Sequence, residues 1–206
     1  MQTVHDHWDA AFADERADSL GWFEAEPNVS LRFAEAAKIL HDTPVIDAGA
    51  GVSKLVLRLH ELGYTNLTAV DVSETALDKN REAMGEAAGD INWIVGDLRE
   101  IETLPECGLW HDRAVFHFLT EAADRARYLD LVNRTLRPGG SLVLATFGPA
   151  GPEQCSGLPV VRYGADSLAA EFGAGFDPVK CEIVTHTTPS GGSQQFLFTL
   201  FRKPAV

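Results

Sequence analysis

Val45-Ile46-Asp47-Ala48-Gly49-Ala50-Gly51 is the stretch that decides the fold of this 206-residue chain. A short apolar run ends in an acid, and two glycines one residue apart follow it at once. Glycines in a tight turn let the backbone come close to a ligand. Residues 53–62 then carry apolar side chains at helical spacing, so this region predicts a strand, a turn and a helix. The residues of the turn that we expect beside a ligand are Asp47, Gly49, Ala50 and Gly51.

Short apolar runs and amphipathic stretches alternate beyond this unit. Strands are predicted over residues 44–47, 67–71, 91–95, 109–112 and 141–147. Helices are predicted over residues 53–62, from the N-cap Ser73 onward, and over residues 121–136. The Arg-Pro-Gly-Gly segment at residues 137–140 predicts a turn before the fifth strand. Such alternation predicts parallel βαβ units and a doubly wound α/β sheet.

The end of the chain has a different pattern. Residues 176–187 and 194–202 both predict strands, and only the turn-rich segment 188–193 separates them. No helix fits into so short a gap, so the two strands should form an antiparallel hairpin. The whole prediction is therefore a mostly parallel, seven-stranded sheet that ends in an antiparallel C-terminal hairpin.

Composition and charge exclude several classes of ligand and location. The net charge of −13 repels phosphates, so a nucleic-acid partner is not expected, although a cationic partner remains open beside simple solubility. No apolar run approaches the roughly 18–20 residues that span a bilayer. Residues 1–12 carry His, Asp and Trp side chains, so we expect no secretory signal there. Cys107, Cys155 and Cys181 form no CxxC pair, so we expect no disulfide framework, no metal site and a cytoplasmic location.

Two further acids follow predicted strands. Asp71 ends the second strand 20 residues past Gly51, where an acid can accept hydrogen bonds from ribose hydroxyls. The alternative, an acid that only flanks the next helix, does not account for this spacing. Asp97 follows the third strand and can accept a hydrogen bond from an adenine amino group, unless the segment is a plain turn. The ligand-contacting residues predicted in these two segments are Asp71, Val72, Ser73, Gly96, Asp97 and Leu98.

In this order and spacing the three motifs resemble the class I S-adenosylmethionine (SAM)-dependent methyltransferase family. The resemblance covers roughly residues 43–147 and, more loosely, the terminal hairpin. It implies SAM as cofactor and S-adenosylhomocysteine (SAH) as product, with the glycine turn beside the methionine part, Asp71 on the ribose and Asp97 on the adenine. Lys54 stands where a dinucleotide-binding turn has its third glycine, which argues against a nicotinamide dehydrogenase.

Residues 111–119, His-Asp-Arg-Ala-Val-Phe-His-Phe-Leu, begin at the end of the fourth strand, where the family places residues beside the transferable methyl group. We expect Asp112, Arg113 and Ala114 to contact SAM. Asp112 can orient an amine or act as a base, and His117 is a candidate general base. A supporting role for His117 is the favoured alternative, because methyl transfer to a deprotonated nucleophile needs mainly proximity.

The segment 146–163 is too long for a plain crossover turn, and long ordered loops are usually functional. We expect it to lie over the acceptor, with Arg162 holding an anionic group and Tyr163 forming a wall. Together with residues 186–191 and 194–196, the segment resembles a group of short bacterial methyltransferases, which leaves the acceptor open. The predicted acceptor-binding residues are Trp22, Phe116, His117, Phe147, Arg162 and Tyr163.

Residues 8–12, Trp-Asp-Ala-Ala-Phe, and the later Trp22-Phe23 resemble the N-terminal segment of some protein-lysine methyltransferases, which have Tyr in place of Phe12. We expect a single domain over residues 1–206. Residues 1–42 should form a helical lid with Trp8 on the cofactor, although the segment can equally serve only to cover the core. Residues 43–147 should form the SAM-binding core, and residues 148–206 the acceptor loop and hairpin.

The leading hypothesis is an enzyme that moves a methyl group from SAM to an N, O or S nucleophile on a small molecule. A protein-lysine methyltransferase is the alternative, favoured by the acidic composition and the Trp-Asp and Trp-Phe pairs. A SAM-binding regulatory protein without turnover is a third hypothesis, against which the intact motifs count. The pattern does not indicate an oligomeric state.

Overall fold

The computed structural model describes residues 3–14 and 19–205. Its helices are α1 (Val4–Asp14), α2 (Asn28–Ala36), α3 (Leu55–Glu61), α4 (Glu74–Met84), α5 (Ala122–Thr135) and α6 (Ala165–Phe172). Its strands are β1 (Val45–Ala48), β2 (Leu67–Asp71), β3 (Ile91–Val95), β4 (Cys107–Arg113), β5 (Leu136–Phe147), β6 (Gln154–Cys155), β7 (Leu158–Pro159), β8 (Asp177–Thr187) and β9 (Ser193–Arg202). The parts of the N-terminal prediction that fall on residues 1, 2 and 15–18 lie outside the described residues, as does residue 206.

Seven strands form one sheet in the order β3-β2-β1-β4-β5-β9-β8. The neighbours among β1 to β5 pair in parallel, whereas β9 pairs antiparallel with both β5 and β8. Strand order reverses between β1 and β4, and ligands of open α/β sheets bind at the carboxyl ends of strands beside such a switch. The structure confirms the predicted doubly wound sheet with an antiparallel C-terminal hairpin.

The central strands β1, β2 and β4 are buried on both faces of the sheet, as is β5 from Ser141 onward. All four residues of β1 are buried, and they alternate between two cores. Val45 packs with α2 and α3, including Phe33 and Leu55, whereas Ile46 packs with α5, including Tyr128. The same alternation decides which β4 side chains face the first core and which face α5.

The turn predicted at residues 137–140 is incorporated into a strand. Helix α5 ends at Thr135, and β5 begins at Leu136 instead of Ser141. Leu136 pairs with Cys107 and Ser141 with Leu109, so four residues bulge out between the two pairs. Gly139 at φ +71° supplies the backbone conformation that the bulge needs. The glycine and proline signal was correct for a local bend but wrong as a strand boundary.

Two short strands lie within the segment 146–163, where a single long loop was predicted. Strands β6 and β7 form a small antiparallel hairpin, and its two central residues, Ser156 and Gly157, both have positive φ values, 49° and 74°. That combination is the type I′ turn that favours short hairpins. Helix α6 follows, with Leu168 and Phe172 buried in the α5-side core. The hairpin lies at the carboxyl edge of the sheet, which gives it a place beside the cavity described below.

Helix α1 is attached to the start of α4. Asp9 accepts hydrogen bonds from Ser73 Oγ at 2.5 Å and from the Thr75 amide at 3.2 Å. Ser73 in turn caps α4, since its Oγ accepts from the Ala76 amide at 3.1 Å, as predicted for an N-cap. A carboxylate at a helix N-terminus is favoured by the exposed amides there. These bonds hold α1 over the carboxyl edge of the sheet.

Candidate active site

A cavity of about 310 Å³ opens at the carboxyl ends of β1 to β4, within the range of small-ligand sites. Strand ends and the glycine turn form its floor, α1 and residues 22–24 form its roof, and the β6–β7 hairpin closes one end. The predicted site residues that line the cavity are Trp8, Trp22, Asp47, Gly49, Ala50, Gly51, Asp71, Val72, Gly96, Asp97, Leu98, Arg113 and Ala114.

The glycine turn is bonded to β2 and pressed against β4. The amides of Gly49 and Ala50 both donate to the Val70 carbonyl, at 2.7 and 3.0 Å. Gly49 has φ +72°, and a Cβ added there would lie 1.9 Å from Val115 Cγ2. A side chain at Gly49 is therefore excluded both by the backbone conformation and by Val115, which follows β4.

Asp71 joins β2, the glycine turn and the start of α4. Its carboxylate accepts hydrogen bonds from the amides of Gly51 and Ser73, each at 2.8 Å. Burial raises the pKa of Asp71 to about 6, although these amide hydrogen bonds oppose the rise. The carboxylate still has acceptor capacity toward the cavity, because each of its oxygens offers two lone pairs.

The Asp97 carboxylate is paired with Arg99, a residue that the sequence analysis did not identify. Arg99 Nε lies 2.9 and 3.0 Å from the two Asp97 oxygens, and the Arg99 amide donates to Oδ1 at 2.9 Å. Arg99 also reaches Asp124 of α5 at 3.4 Å. Burial raises the pKa of Asp97, but the Arg99 hydrogen bonds outweigh it and hold that pKa below its usual value. The sequence pattern that could have indicated this pair is an acid and an arginine two positions apart in a loop.

Asp47 belongs to a buried chain of three polar side chains. Its Oδ1 lies 2.8 Å from His111 Nδ1, and His111 Nε2 lies 2.9 Å from Ser30 Oγ on α2. Within the described part of the chain, Asp47 Oδ2 is buried and has no hydrogen-bond partner. His111 and Ser30 were missed, because only the parallel register that places His111 opposite Asp47 brings them together.

Arg113 ends β4 on the same face as His111 and also lines the cavity. Its Nη1 donates to the Trp22 carbonyl at 3.0 Å, and its guanidinium carbon lies 4.8 Å from the centre of the Phe196 ring. Glu24 Oε1 lies 3.3 Å from Nη2. Burial lowers the pKa of Arg113, and Glu24 opposes that effect. Arg113 is thus a desolvated cation at the edge of the cavity.

Four aromatic rings from distant parts of the chain meet above the strand ends. Trp8 lies 5.1 Å from Phe118 and 5.9 Å from Trp22 between ring centres, both nearly edge to face. Phe12 lies 6.3 Å from Trp22. Aromatic pairs favour these offset and edge-to-face arrangements. The rings shield the cavity from water on the side of α1.

Asp112 and His117 lie away from the cavity lining. Asp112 is fully buried and accepts from Tyr128 Oη at 2.6 Å and from the Val115 amide at 2.9 Å. His117 Nδ1 accepts from the Phe147 amide at 3.1 Å. Burial, with help from Arg113, lowers the pKa of His117 to about 3, so the imidazole is neutral at ordinary pH. Alternation along β4 turns Asp112 toward α5, and neither Asp112 nor His117 is part of the cavity lining in which the sequence analysis expected them.

The remaining predicted contacts are likewise absent from the lining. Phe116 packs 5.1 to 5.6 Å from Tyr128, Tyr163 and Phe172 between ring centres, on the α5 side of the sheet. Phe147 contacts His117 and Phe196, and Arg162 bonds to Glu153 and the Gly151 carbonyl. The Ser73 hydroxyl already caps the N-terminus of α4. The lining residues that the sequence analysis missed at the acceptor end are Phe23, Glu24, Phe118, Cys155, Leu158 and Pro159.

The comparisons with known proteins match this geometry. The family model described as a methyltransferase domain matches residues 45–140, which hold the glycine turn, Asp71, Asp97 and Arg113. The chain is a SAM-dependent methyltransferase that carries this domain. Its cofactor is SAM, and SAH is the product.

This methyltransferase is similar to proteins with different acceptors. The EEF1A lysine methyltransferase 2 of Homo sapiens is 24% identical over 204 residues, which cover 92% of this chain and 80% of the relative. A structure concerned with conversion of a disulfide bond into a thioacetal group during echinomycin biosynthesis has a TM-score of 0.78 at 18% identity and covers 98% and 93% of the two chains. The 1,6-didemethyltoxoflavin-N1-methyltransferase of Burkholderia thailandensis, solved with its substrate and SAH, has a TM-score of 0.70 at 22% identity and covers 94% and 81%. These structural likenesses show the shared fold.

The donor set of the methyltransferase fits SAM. The unpartnered Asp47 Oδ2 is a buried acceptor for an ammonium group, and the glycine turn presents backbone without side chains. The carboxylates of Asp71 and Asp97 stand at the ends of neighbouring strands, in the order that a ribose and an adenine require. Among the described residues no group of three or more His, Cys, Asp or Glu side chains is placed to hold a metal ion. In the same part of the chain, no helix combines the length and apolar character of a membrane span.

Proposed function

We propose that this methyltransferase transfers the methyl group of SAM to an N, O or S nucleophile on a small, largely apolar molecule. The observation that carries the proposal is the lining of the cavity beyond Arg113. Trp22, Phe23 and Phe118 line the cavity together with Leu158 and Pro159 of the β6–β7 hairpin. Flat aromatic and aliphatic walls favour a compact apolar ligand, whose burial removes apolar surface from water.

We assign the cofactor contacts as follows. Asp71 accepts from the ribose hydroxyls, Asp97 and the Leu98 amide recognise the adenine, and Asp47 with the glycine turn holds the methionine part. SAM supplies a methyl group on a sulfonium, and SAH leaves when the acceptor takes the methyl. The chain's own contribution is to hold the reactants together and to exclude water, through Trp8, Phe12 and the other rings of the roof.

The chemistry needs no base from this cavity when the acceptor is already deprotonated. We assign His117 a supporting role, because its Nδ1 already accepts the Phe147 amide and its imidazole is buried and neutral. We assign Asp112 the same kind of role, since it joins Tyr128 to the amides of Val115 and Phe116. Together they fix the segment that carries Ala114 and Val115 into the lining.

A protein-lysine acceptor is the second candidate. It is favoured by the similarity to the EEF1A lysine methyltransferase 2, which extends over 92% of this chain. The acidic composition also suits a cationic protein substrate. Against it, Asp9 of the Trp-Asp pair has a structural use in holding α1 to α4. A SAM-binding regulatory protein without turnover is the alternative from another functional class. We also propose a cytoplasmic location and a single domain with an N-terminal helical lid.

An acceptor screen scored by SAH release tests the proposal. Small thiols, phenols and amines form three pools, and the proteins of a cell lysate form a fourth. We expect SAH release with one of the small-molecule pools. Release with the protein pool alone would favour the lysine alternative, and SAM binding without release from any pool would favour the regulatory one.

A matched pair of variants ties the screen to the cavity. Leu158→Glu places a charge in the apolar wall, whereas Leu62→Glu places it on an exposed side chain, 57% accessible at the end of α3. Leu158→Glu should abolish most turnover with the small acceptor while SAH still binds. Leu62→Glu should behave like the unmodified enzyme. Equal turnover in the two variants would place the acceptor elsewhere.

A further inference from the structure

Arg113 is a buried cation whose hydrogen-bonding capacity is only partly used. Its side chain is 13% exposed. Of its three nitrogen atoms, Nη1 donates to the Trp22 carbonyl, while Nε and Nη2 are buried without a hydrogen-bond partner among the described residues. Leaving donors of a charged group unpaired in a buried position is costly. The Nε and Nη2 atoms therefore favour a ligand that offers hydrogen-bond acceptors within the cavity that Arg113 lines.

Glu24 is the acidic neighbour of that edge, but it fits the guanidinium poorly. Its Oε1 lies 3.3 Å from Nη2, a single-point ion pair that leaves Nε without a partner among the described residues. Arginine and a carboxylate reach full strength as a two-point pair, with two parallel N–H···O bonds. Glu24 belongs to the segment that joins α1 to α2, not to the sheet. Glu24 is thus a loosely held counter-ion of Arg113, whereas Trp22 and Phe196 hold the Arg113 guanidinium in place.

A second unpartnered charge lies nearby. Asp47 Oδ2 is buried and lines the same cavity, and His111 with Ser30 fixes the other side of its carboxylate. Asp47 and Arg113 lie on the neighbouring strands β1 and β4 and line the same cavity. A free acceptor beside free donors matches a ligand that carries an ammonium and a carboxylate on adjacent atoms, as an α-amino acid does. Arg99, the other arginine of the lining, is already held by Asp97 and Asp124.

We propose that Arg113 binds the carboxylate of the methionine part of SAM, and that Glu24 is a resident carboxylate which this group displaces. The proposal rests on the assignment of SAM to the cavity. It makes Glu24 a competitor of the ligand, and displacement of Glu24 couples cofactor binding to the segment between α1 and α2.

Calorimetry on the full chain tests the proposal with two ligands, SAH and its carboxamide, in which the carboxylate is replaced by a neutral amide. The unmodified chain should bind SAH more tightly than the carboxamide, by roughly ten- to 150-fold. Arg113→Gln should weaken SAH binding by a similar factor and leave carboxamide binding nearly unchanged. Glu24→Gln should tighten SAH binding by roughly two- to fivefold, since it removes the competing carboxylate.

The sign of the Glu24→Gln effect separates competition from support. If Glu24 only orients Arg113, its loss will weaken SAH binding, and the proposal is wrong. Should Arg113→Gln fail to fold by circular dichroism, the ratio of the two ligands on the unmodified chain and the Glu24→Gln result still decide. Equal binding of SAH and its carboxamide to the unmodified chain overturns this inference alone, whereas no binding of either ligand also overturns the assignment of SAM to the cavity.

Discussion

The half of the cavity that we assign to the cofactor and the half that we assign to the acceptor are built in different ways. In the cofactor half, Asp47 lies in β1, Asp71 ends β2 and Asp97 lies two residues past the end of β3, and the parallel sheet brings them to one edge. The acceptor half is assembled from the α1–α2 connection, the segment after β4 and the β6–β7 hairpin, which are distant in sequence. The first half is therefore specified by local patterns, whereas the second depends on contacts that no local pattern contains. Variants that move one half and not the other test this division.

Gly49→Ala should have the largest effect on stability, because the added side chain would clash with Val115 in the other half of the cavity. The substitution strains a backbone at φ +72° and places a Cβ 1.9 Å from Val115 Cγ2, on the segment after β4. Strain and overpacking together should lower the free energy of unfolding by about 2–6 kcal/mol, measured by urea denaturation.

Gly85→Ala is the matched control for Gly49→Ala. Gly85 also has a positive φ, +59°, but a Cβ there meets no atom within 4 Å. It should cost only the strain, about 1–3 kcal/mol. Equal losses in the two variants would show that Val115 yields easily and that the halves are not pressed together.

Asp71→Asn should have the next largest effect, on the cofactor half. The carboxylate that we assign to the ribose becomes a neutral amide, and one acceptor of the Gly51 and Ser73 amides is lost as well. SAH affinity should fall roughly ten- to 150-fold by calorimetry, with some loss of stability. Asp78→Asn, on an exposed side chain of α4, should leave the affinity unchanged. An unchanged affinity in Asp71→Asn would move the ribose elsewhere.

The same residue gives SAH binding a pH dependence. Burial raises the pKa of Asp71 to about 6, so the unliganded carboxyl takes up a proton as the pH falls through 6. The ribose hydroxyls need the ionised form, and affinity should therefore fall below pH 6, by at most about tenfold per unit. Folding itself responds oppositely, since protonation removes a buried charge and adds stability between about pH 6 and pH 4.

Asp112 provides the comparison across the sheet. Burial raises its pKa to about 6 as well, but it faces Tyr128 and α5 instead of the cavity. Asp71→Asn should therefore abolish the acid limb of SAH binding, and Asp112→Asn should keep it. The opposite pattern would contradict the proposed ribose contact.

Particular residues show what the sequence could and could not predict. Asp71 and Asp97 line the cavity as predicted, because they lie at or just past the carboxyl ends of β2 and β3, whose direction the βαβ alternation determines. Asp112 and Arg113 are neighbours in β4, so their side chains point to opposite faces of the sheet. The sequence does not show which face meets the cavity, and it therefore could not tell which of the two residues lines it. Glu24 and Leu158 reach the cavity through chain connections, and nothing in their local sequence indicates that. Helix α6 was missed because it is short and lies between glycines.

His117→Leu should have a smaller effect, confined to stability. The variant removes the acceptor of the buried Phe147 amide, which should cost about 1–3 kcal/mol in the free energy of unfolding. Turnover should keep its pH profile, since the buried imidazole is already neutral at ordinary pH. His41→Leu, on an exposed residue, should change neither. A turnover loss of about 10²–10⁴-fold at unchanged SAH affinity, with the acid limb abolished, would instead identify a general base.

Arg162→Ala should have the smallest effect, and it completes the comparison between the halves. The local sequence predicts Arg162 as the cation for an anionic acceptor, but the structure pairs it with Glu153 at 2.9 Å on a largely exposed surface. Such pairs contribute little, so stability should change by less than about 0.5 kcal/mol, and the KM of an acceptor found in the screen by less than about twofold. Arg113 lies in the lining and Arg162 outside it, so Arg113→Gln measured beside Arg162→Ala gives the contrast in one experiment. A tenfold rise of KM in Arg162→Ala would show that the segment after β5 folds over the acceptor during turnover, and the acceptor half would then extend beyond the cavity.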